Sequence, residues 1–225
     1  MAPKCRPWKR SLTIAGVSAA VAASSAGLGF ATAEALAREG VEVAICGRDE
    51  ARITAAARAI GGRATAIVAD VSTPDGARGF VVDAREAMGG VDILVANAGG
   101  PPVGDFTGTT DIDAYARAFE LNCLSTIAMC MEAVPAMRAQ HWGRVLAVTS
   151  IAVRQPIPSL ILSNTARAGV PGFLKTLARE VAIYGVTVNS LQPGLHETAR
   201  IAGLHGDSPG LAATVPGQVA SVTKR

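Results

Sequence analysis

Six short apolar runs, each but the last followed by a stretch whose apolar residues fall at helical spacing, recur along this chain. No other feature narrows its fold as far. Residues 17–22 read Val-Ser-Ala-Ala-Val-Ala, and residues 28–38 then carry Leu28, Ala31, Ala35 and Leu36 on one helical face. The pattern continues with strands over 41–45, 64–68, 92–96, 144–148 and 186–191, and with helices over 50–60, 75–88, 112–138 and 160–183. Pro74 stands at a helix entry, where the missing N–H costs nothing. Such alternation predicts parallel βαβ units wound on both faces of one sheet.

Because βαβ crossovers are right-handed, the expected fold is an α/β, Rossmann-like, doubly wound parallel sheet in three layers. At 225 residues, against roughly 150 per domain, one domain is the expectation. Hydrophobic residues at 49% against 17% charged exclude global disorder. The net charge of +3 is too small for a protein that tracks a phosphate backbone, so no nucleic-acid partner is expected. Four of the positive charges, Lys4, Arg6, Lys9 and Arg10, lie in a basic tail over 1–10. That tail, the uncharged stretch 11–33 and Ala31-Thr32-Ala33 together look like a secretory signal. Yet Ser18, Ser24, Ser25, Gly27 and Gly29 interrupt the stretch, and a strand, a turn and a helix start account for the same residues. No membrane association is expected. No linker divides 11–194, whereas 195–225 carries no convincing strand. Cys5, Cys46, Cys123 and Cys130 form no C-x-x-C pair, which suits a reducing cytoplasm.

Between the first strand and first helix lies Ser24-Ser25-Ala26-Gly27-Leu28-Gly29, a turn whose glycines let the backbone approach a pyrophosphate at a helix N-terminus. Here the chain resembles the short-chain dehydrogenase/reductase family, whose turn reads T-G-x-x-x-G-x-G. Gly27 and Gly29 match its last two glycines, while Ala22 and Ala23 replace the Thr and the first Gly. That departure is expected to be mild, since alanine adds one Cβ. Asp70-Val71, Asn97-Ala98-Gly99, Asn122, Ser150, and Pro193-Gly194 with Thr198 follow in the family's order. The resemblance, spanning about residues 13 to 200, implies that Asp70 and Val71 flank an adenine, Asn97, Ala98 and Gly99 line a ribose, and Pro193, Gly194 and Thr198 hold a nicotinamide. It also implies a homo-oligomer, a small carbonyl or alcohol substrate chosen by a loop beyond residue 194, and, from the 3-oxoacyl-carrier-protein reductase-like pattern, a 3-oxoacyl thioester.

The ribose 2′ position meets Ile45-Cys46-Gly47-Arg48, with no carboxylate where NAD enzymes place one and an arginine suited to a phosphate. NADP(H) is therefore favoured over NAD(H), although Ala26 stands where many NADP-dependent relatives have a second basic residue.

The family's proton donor is the tyrosine of Y-x-x-x-K, thirteen residues after the serine. Counting from Ser150 leads to Ser163-Asn164-Thr165-Ala166-Arg167: serine replaces tyrosine and arginine replaces lysine. Tyr115 and Tyr184 are the only tyrosines, and neither has a lysine four residues on. A hydroxyl is a far weaker acid than a phenol, and arginine stays charged and relays no proton. Asn122, Ser150, Ser163 and Arg167 thus read either as a modified catalytic site or as one that has lost its chemistry. In the first reading Ser150 polarises the substrate oxygen, Ser163 donates a proton, Arg167 orients the cofactor and Asn122 supports a water relay. In the second the chain is a nucleotide-binding pseudoenzyme or a non-functional product. His196-Glu197 lacks the second histidine of a zinc motif, since Arg200 stands there, and no metal is expected. Cys123 and Cys130 read as core thiols, His141 as a surface residue and Pro101-Pro102 as a stiff loop beside the nicotinamide. Measured against the family, the chain ends early, so the last edge strand is expected to be missing and the sixth strand exposed.

Overall fold

The computed structural model describes residues 14–194. Six parallel strands form one sheet: β1 (Ser18–Val21), β2 (Glu42–Gly47), β3 (Ala64–Val68), β4 (Ile93–Ala96), β5 (Gly143–Val148) and β6 (Val186–Leu191). Their order is β3-β2-β1-β4-β5-β6, so chain direction across the sheet reverses between β1 and β4. At that reversal Val21 lies opposite Ile45 on one side and Val95 on the other. The helices are α1 (Gly27–Arg38), α2 (Glu50–Ile60), α3 (Pro74–Met88), α4 (Ile112–Phe119), α5 (Ser125–Ala139) and α6 (Ile161–Val181).

Alternation along the central strands splits the core in two, because successive side chains leave opposite faces of a sheet. Ala19, Val21, Val43, Ile45, Ile93 and Val95 pack on one side with Ala33 of α1 and Ile53 of α2. Ala20, Ala44, Cys46, Leu94 and Ala96 pack on the other with Phe80 of α3, Met129 and Met137 of α5 and Leu174 of α6. Burial on both faces is what a parallel sheet requires, and it explains the near-continuous apolar runs of the sequence. Two caps set helix starts: Asp49 accepts from the Arg52 amide at 2.8 Å ahead of α2, and Thr73 accepts from Gly76 at 3.2 Å ahead of α3.

The single helix expected over 112–138 is replaced by three segments. A π-helical turn, Glu120–Leu124, separates α4 from α5 and carries Asn122 and Cys123 inward. One extra residue in the turn shifts the helical register, a device that recurs at functional sites. At the far end of the sheet, Asp92 accepts from the Ser18 amide at 2.9 Å and from Gln140 Nε2 at 2.9 Å, locking β1 to β4 and to the end of α5.

Candidate active site

A cleft of about 790 Å³ opens at the C-terminal ends of β1 to β4, where the strand order reverses. Open α/β sheets bind ligands at such a crevice, and this volume suits a dinucleotide's adenosine half. Ala23 and Ser25 line it after β1, Gly47, Arg48 and Arg52 after β2, Asp70, Val71 and Ser72 after β3, and the segment 99–102 after β4. Gly47 keeps the two turns close: a Cβ there would stand 3.2 Å from Ser25 Cβ, a tight contact.

The turn after β1 is tightly determined. Gly27 has φ +60°, in the left-handed region glycine tolerates. A Cβ on Gly29 would come within 2.5 Å of the Ala23 carbonyl, so the start of α1 can sit on the turn only with glycine there. Ala23 itself has φ +47°. The alanine is therefore not a mild departure: it holds a left-handed conformation that costs an L-residue roughly 1–2 kcal/mol. Ser24 is fully buried, and its hydroxyl donates to Val21 O at 2.6 Å and accepts from Cys46 N at 3.1 Å. Its side chain holds the turn to β2 and faces the protein interior. Leu28 is half-buried against the core beneath α1.

Arg48 is largely exposed, with Nη1 3.9 Å from Asp70 Oδ2, a loose pair that leaves the guanidinium accessible to an anion. Of the two acids following it, Asp49 is committed to capping α2 and Glu50 opens that helix. Arg52, in the first turn of α2, adds a second positive charge to the same wall. Arg52 is not marked as a partner of Arg48 by its spacing, because Arg48 precedes the extended α2 cap Asp49 and no helical period links the two. Val71 is buried, and Asp70 accepts from the Ser72 amide at 3.0 Å. Asn97 donates from Nδ2 to the carbonyls of Ala22 and Ala23, both at 3.2 Å, so its amide secures the turn. Ala98 is half-buried beside it.

The residues expected at the reaction end lie around one arginine. Arg167 Nε donates to Ser163 Oγ at 3.2 Å, Nη1 to the carbonyls of Val148 and Thr149 at 3.2 and 3.3 Å, and Nη2 to Gly99 O at 3.2 Å. It thus joins α6 to the ends of β5 and β4. Asn122 donates to the same Gly99 carbonyl at 2.8 Å, and its buried Oδ1 has no protein partner. An acceptor in that state calls for a water or a ligand hydrogen. Ser150, directly after Thr149, accepts from the Ala152 amide at 3.1 Å. Each serine oxygen receives one hydrogen bond, so each keeps its own O–H proton to donate elsewhere. Ser163 is 6% exposed. Buried Pro193 accepts from the Ile151 amide at 3.2 Å and braces the same loop, with Gly194 exposed beyond it. Thr198, the His196-Glu197 pair and the loop beyond 194 lie outside the described residues. Neither tyrosine replaces the missing phenol: Tyr115 donates to Thr109 O, and Tyr184 packs under Arg138. Cys123 and Cys130 are buried thiols, and His141 is exposed.

The short chain dehydrogenase profile matches residues 18–207. The chain belongs to the short-chain dehydrogenase/reductase family, the NAD(P)-dependent oxidoreductases that act on alcohol and carbonyl groups. Dehydrogenase/reductase SDR family member 4 of Bos taurus is 33% identical over 186 residues, covering 80% of this chain and 66% of the relative. The chain thus spans about two thirds of the length of that relative. L-sorbose reductase of Gluconobacter frateurii, solved with NADPH and L-sorbose, superposes with a TM-score of 0.82 at 32% identity, over 89% of this chain and 79% of that one. An NADPH-bound short chain oxidoreductase of Pseudomonas aeruginosa PAO1, described as containing an atypical catalytic center, gives 0.76 at 34% identity, over 82% and 73%.

Proposed function

We propose that this chain is an NADP(H)-dependent oxidoreductase that reduces a small carbonyl compound. The pairing of Arg167 with Ser163 carries the reading: a permanent positive charge beside a hydroxyl favours hydrogen-bond donation from that hydroxyl to a developing oxyanion. Ser150 offers a second O–H from the end of β5. Arg167 has the role of a positioning residue, since its nitrogens are spent on Ser163 and on three backbone carbonyls. Asn122 Oδ1 is suited to hold a water that returns a proton to Ser163. Arg48 and Arg52 form the wall that would hold the 2′-phosphate, and the Gly27–Gly29 turn would hold the pyrophosphate. When bound there, the nicotinamide supplies the hydride.

The substrate is a ketone or aldehyde, with a ketose and a 3-oxoacyl thioester as the two classes to test. The Gluconobacter similarity supports the first. For the assembly we propose a homo-oligomer, supported by Phe119, Leu124 and Met131, large apolar residues exposed along α4, the π turn and α5. Free thiols at Cys46, Cys123 and Cys130 support the cytoplasm as compartment. A second reading, a nucleotide-binding protein without turnover, is favoured by the absence of any phenol at position 163.

Calorimetric titration with NADPH and NADH, followed by a carbonyl screen, tests the proposal. Tighter binding of NADPH is expected, and Arg48→Ala removes that preference. Ser163→Ala is expected to cut turnover by about 10²-fold while leaving NADPH affinity unchanged. Unaltered turnover in that variant would overturn the assignment of Ser163, and no turnover in the parent would favour the second reading.

A further inference from the structure

The turn that approaches the cofactor carries an alanine in a backbone conformation that glycine adopts freely, and a neighbouring strand compensates for it. Ala23 at φ +47° donates its N–H to Cys46 Sγ at 3.3 Å. The next residue, Ser24, donates its N–H to Cys46 O at 2.9 Å and accepts from Cys46 N at 3.1 Å through its hydroxyl. Cys46 therefore touches the turn through its amide, its carbonyl and its sulfur. From the opposite side Asn97 holds the Ala23 carbonyl. Gly29 rests against that carbonyl, so a rotation at Ala23 is transmitted to the first turn of α1 and to its free amides.

Resting on the reading of this cleft as a dinucleotide site, we infer that Cys46 is a positioning residue for the cofactor. Its sulfur fixes the Ala23 amide, and the Ala23–Cys46 pair takes the place of the first glycine of the family's T-G-x-x-x-G-x-G turn. The sulfur is fully buried, and burial holds the thiol protonated, with its pKa pushed up to about 12. It acts as a neutral acceptor throughout the physiological range.

The pair is tested by a double-mutant cycle of Cys46→Ala and Ala23→Gly, with Kd for NADPH and for 2′-AMP measured on each variant. The second probe has the adenosine and 2′-phosphate but no pyrophosphate, so it does not use the turn. Cys46→Ala alone is expected to weaken NADPH about five- to tenfold, because Ala23 released from the sulfur no longer holds the left-handed φ that an L-residue adopts only at a cost, and to change 2′-AMP less than about twofold. Cys46→Ser, which keeps an acceptor on the same Cβ, should recover NADPH affinity to within about threefold. In the Ala23→Gly background, Cys46→Ala should change NADPH less than about twofold, because glycine holds the left-handed turn unaided.

Equal weakening of both probes, or the same NADPH loss in both backgrounds, would overturn the inference. If Cys46→Ala alone does not fold, Ala23→Gly is compared with the double variant: equal NADPH affinity supports the pair and unequal affinity refutes it. If the parent chain binds neither probe, it is the cofactor reading that fails. The pair is then read from melting temperatures alone, where non-additive shifts support it and additive shifts reject it.

Discussion

Arg167 shows how much one side chain can decide. Four of its hydrogen bonds reach a hydroxyl on its own helix and three carbonyls beyond or at two neighbouring strand ends. The planar guanidinium meets these directions at once, which a single ammonium does not. Arg167→Met should destabilise the fold by about 2 kcal/mol, the order expected for hydrogen bonds made by a charged donor. A melting temperature about 4–8 °C below the parent would show it. Arg167→Lys should keep the charge and recover only part of that loss, the opposite of what a purely electrostatic role predicts. That the i+4 spacing brings Ser163 and Arg167 together is legible in the sequence. Capture of the remaining nitrogens by backbone is not, because it depends on where β4 and β5 end in space.

Among the elements, the turn over residues 105–109 titrates most plainly. Asp105 Oδ1 accepts from the Gly108 amide at 2.7 Å and from Thr107 Oγ1 at 3.0 Å, and these bonds hold its carboxyl below the ordinary 3.8. A carboxylate whose folded pKa is depressed stabilises its turn fully above the unfolded value, and that contribution is lost as pH falls through the folded value. Exchange of the Gly108 amide, corrected for intrinsic rate, should therefore speed up as pH drops below about 3.8. Asp105→Asn should flatten that dependence. The order of strands and helices is legible from periodicity because the core lies on both faces of the sheet and buries β1 and β4 along their whole length, while the edge strands β3 and β6 are partly exposed. The π turn at Glu120–Leu124 is not legible. Neither glycine nor proline marks it, and its apolar spacing fits an ordinary helix within a residue. Nor does a bare alanine at position 23 reveal its left-handed φ, which follows from the Cys46 and Asn97 contacts made elsewhere in the chain.

For the molecule as a whole, buried thiols set an alkaline limit. Cys46 and Cys130 both sit in the core, and burial raises each from 9.0 to about 12. In the unfolded chain the proton leaves first, so the stability these thiols contribute is present below about pH 9 and is lost as pH rises toward 12. Each thiol adds to the downward slope of stability between those two values. Urea midpoints should hold level from this source between pH 7 and 9 and then fall, and Cys130→Ala should make the fall shallower.

The reaction end of the sheet has one more property, set by how its two long loops are joined. Gly104 donates to Ser159 O at 2.8 Å, and Ile161 donates to Gly104 O at 3.2 Å, a parallel bridge between the loop after β4 and the entry to α6. Neither loop can swing outward without breaking both bonds, so the rim they share opens as one piece or stays shut. The Gly104 and Ile161 amides therefore share one opening step, and their exchange with solvent, corrected for intrinsic rate, should give a single common protection factor.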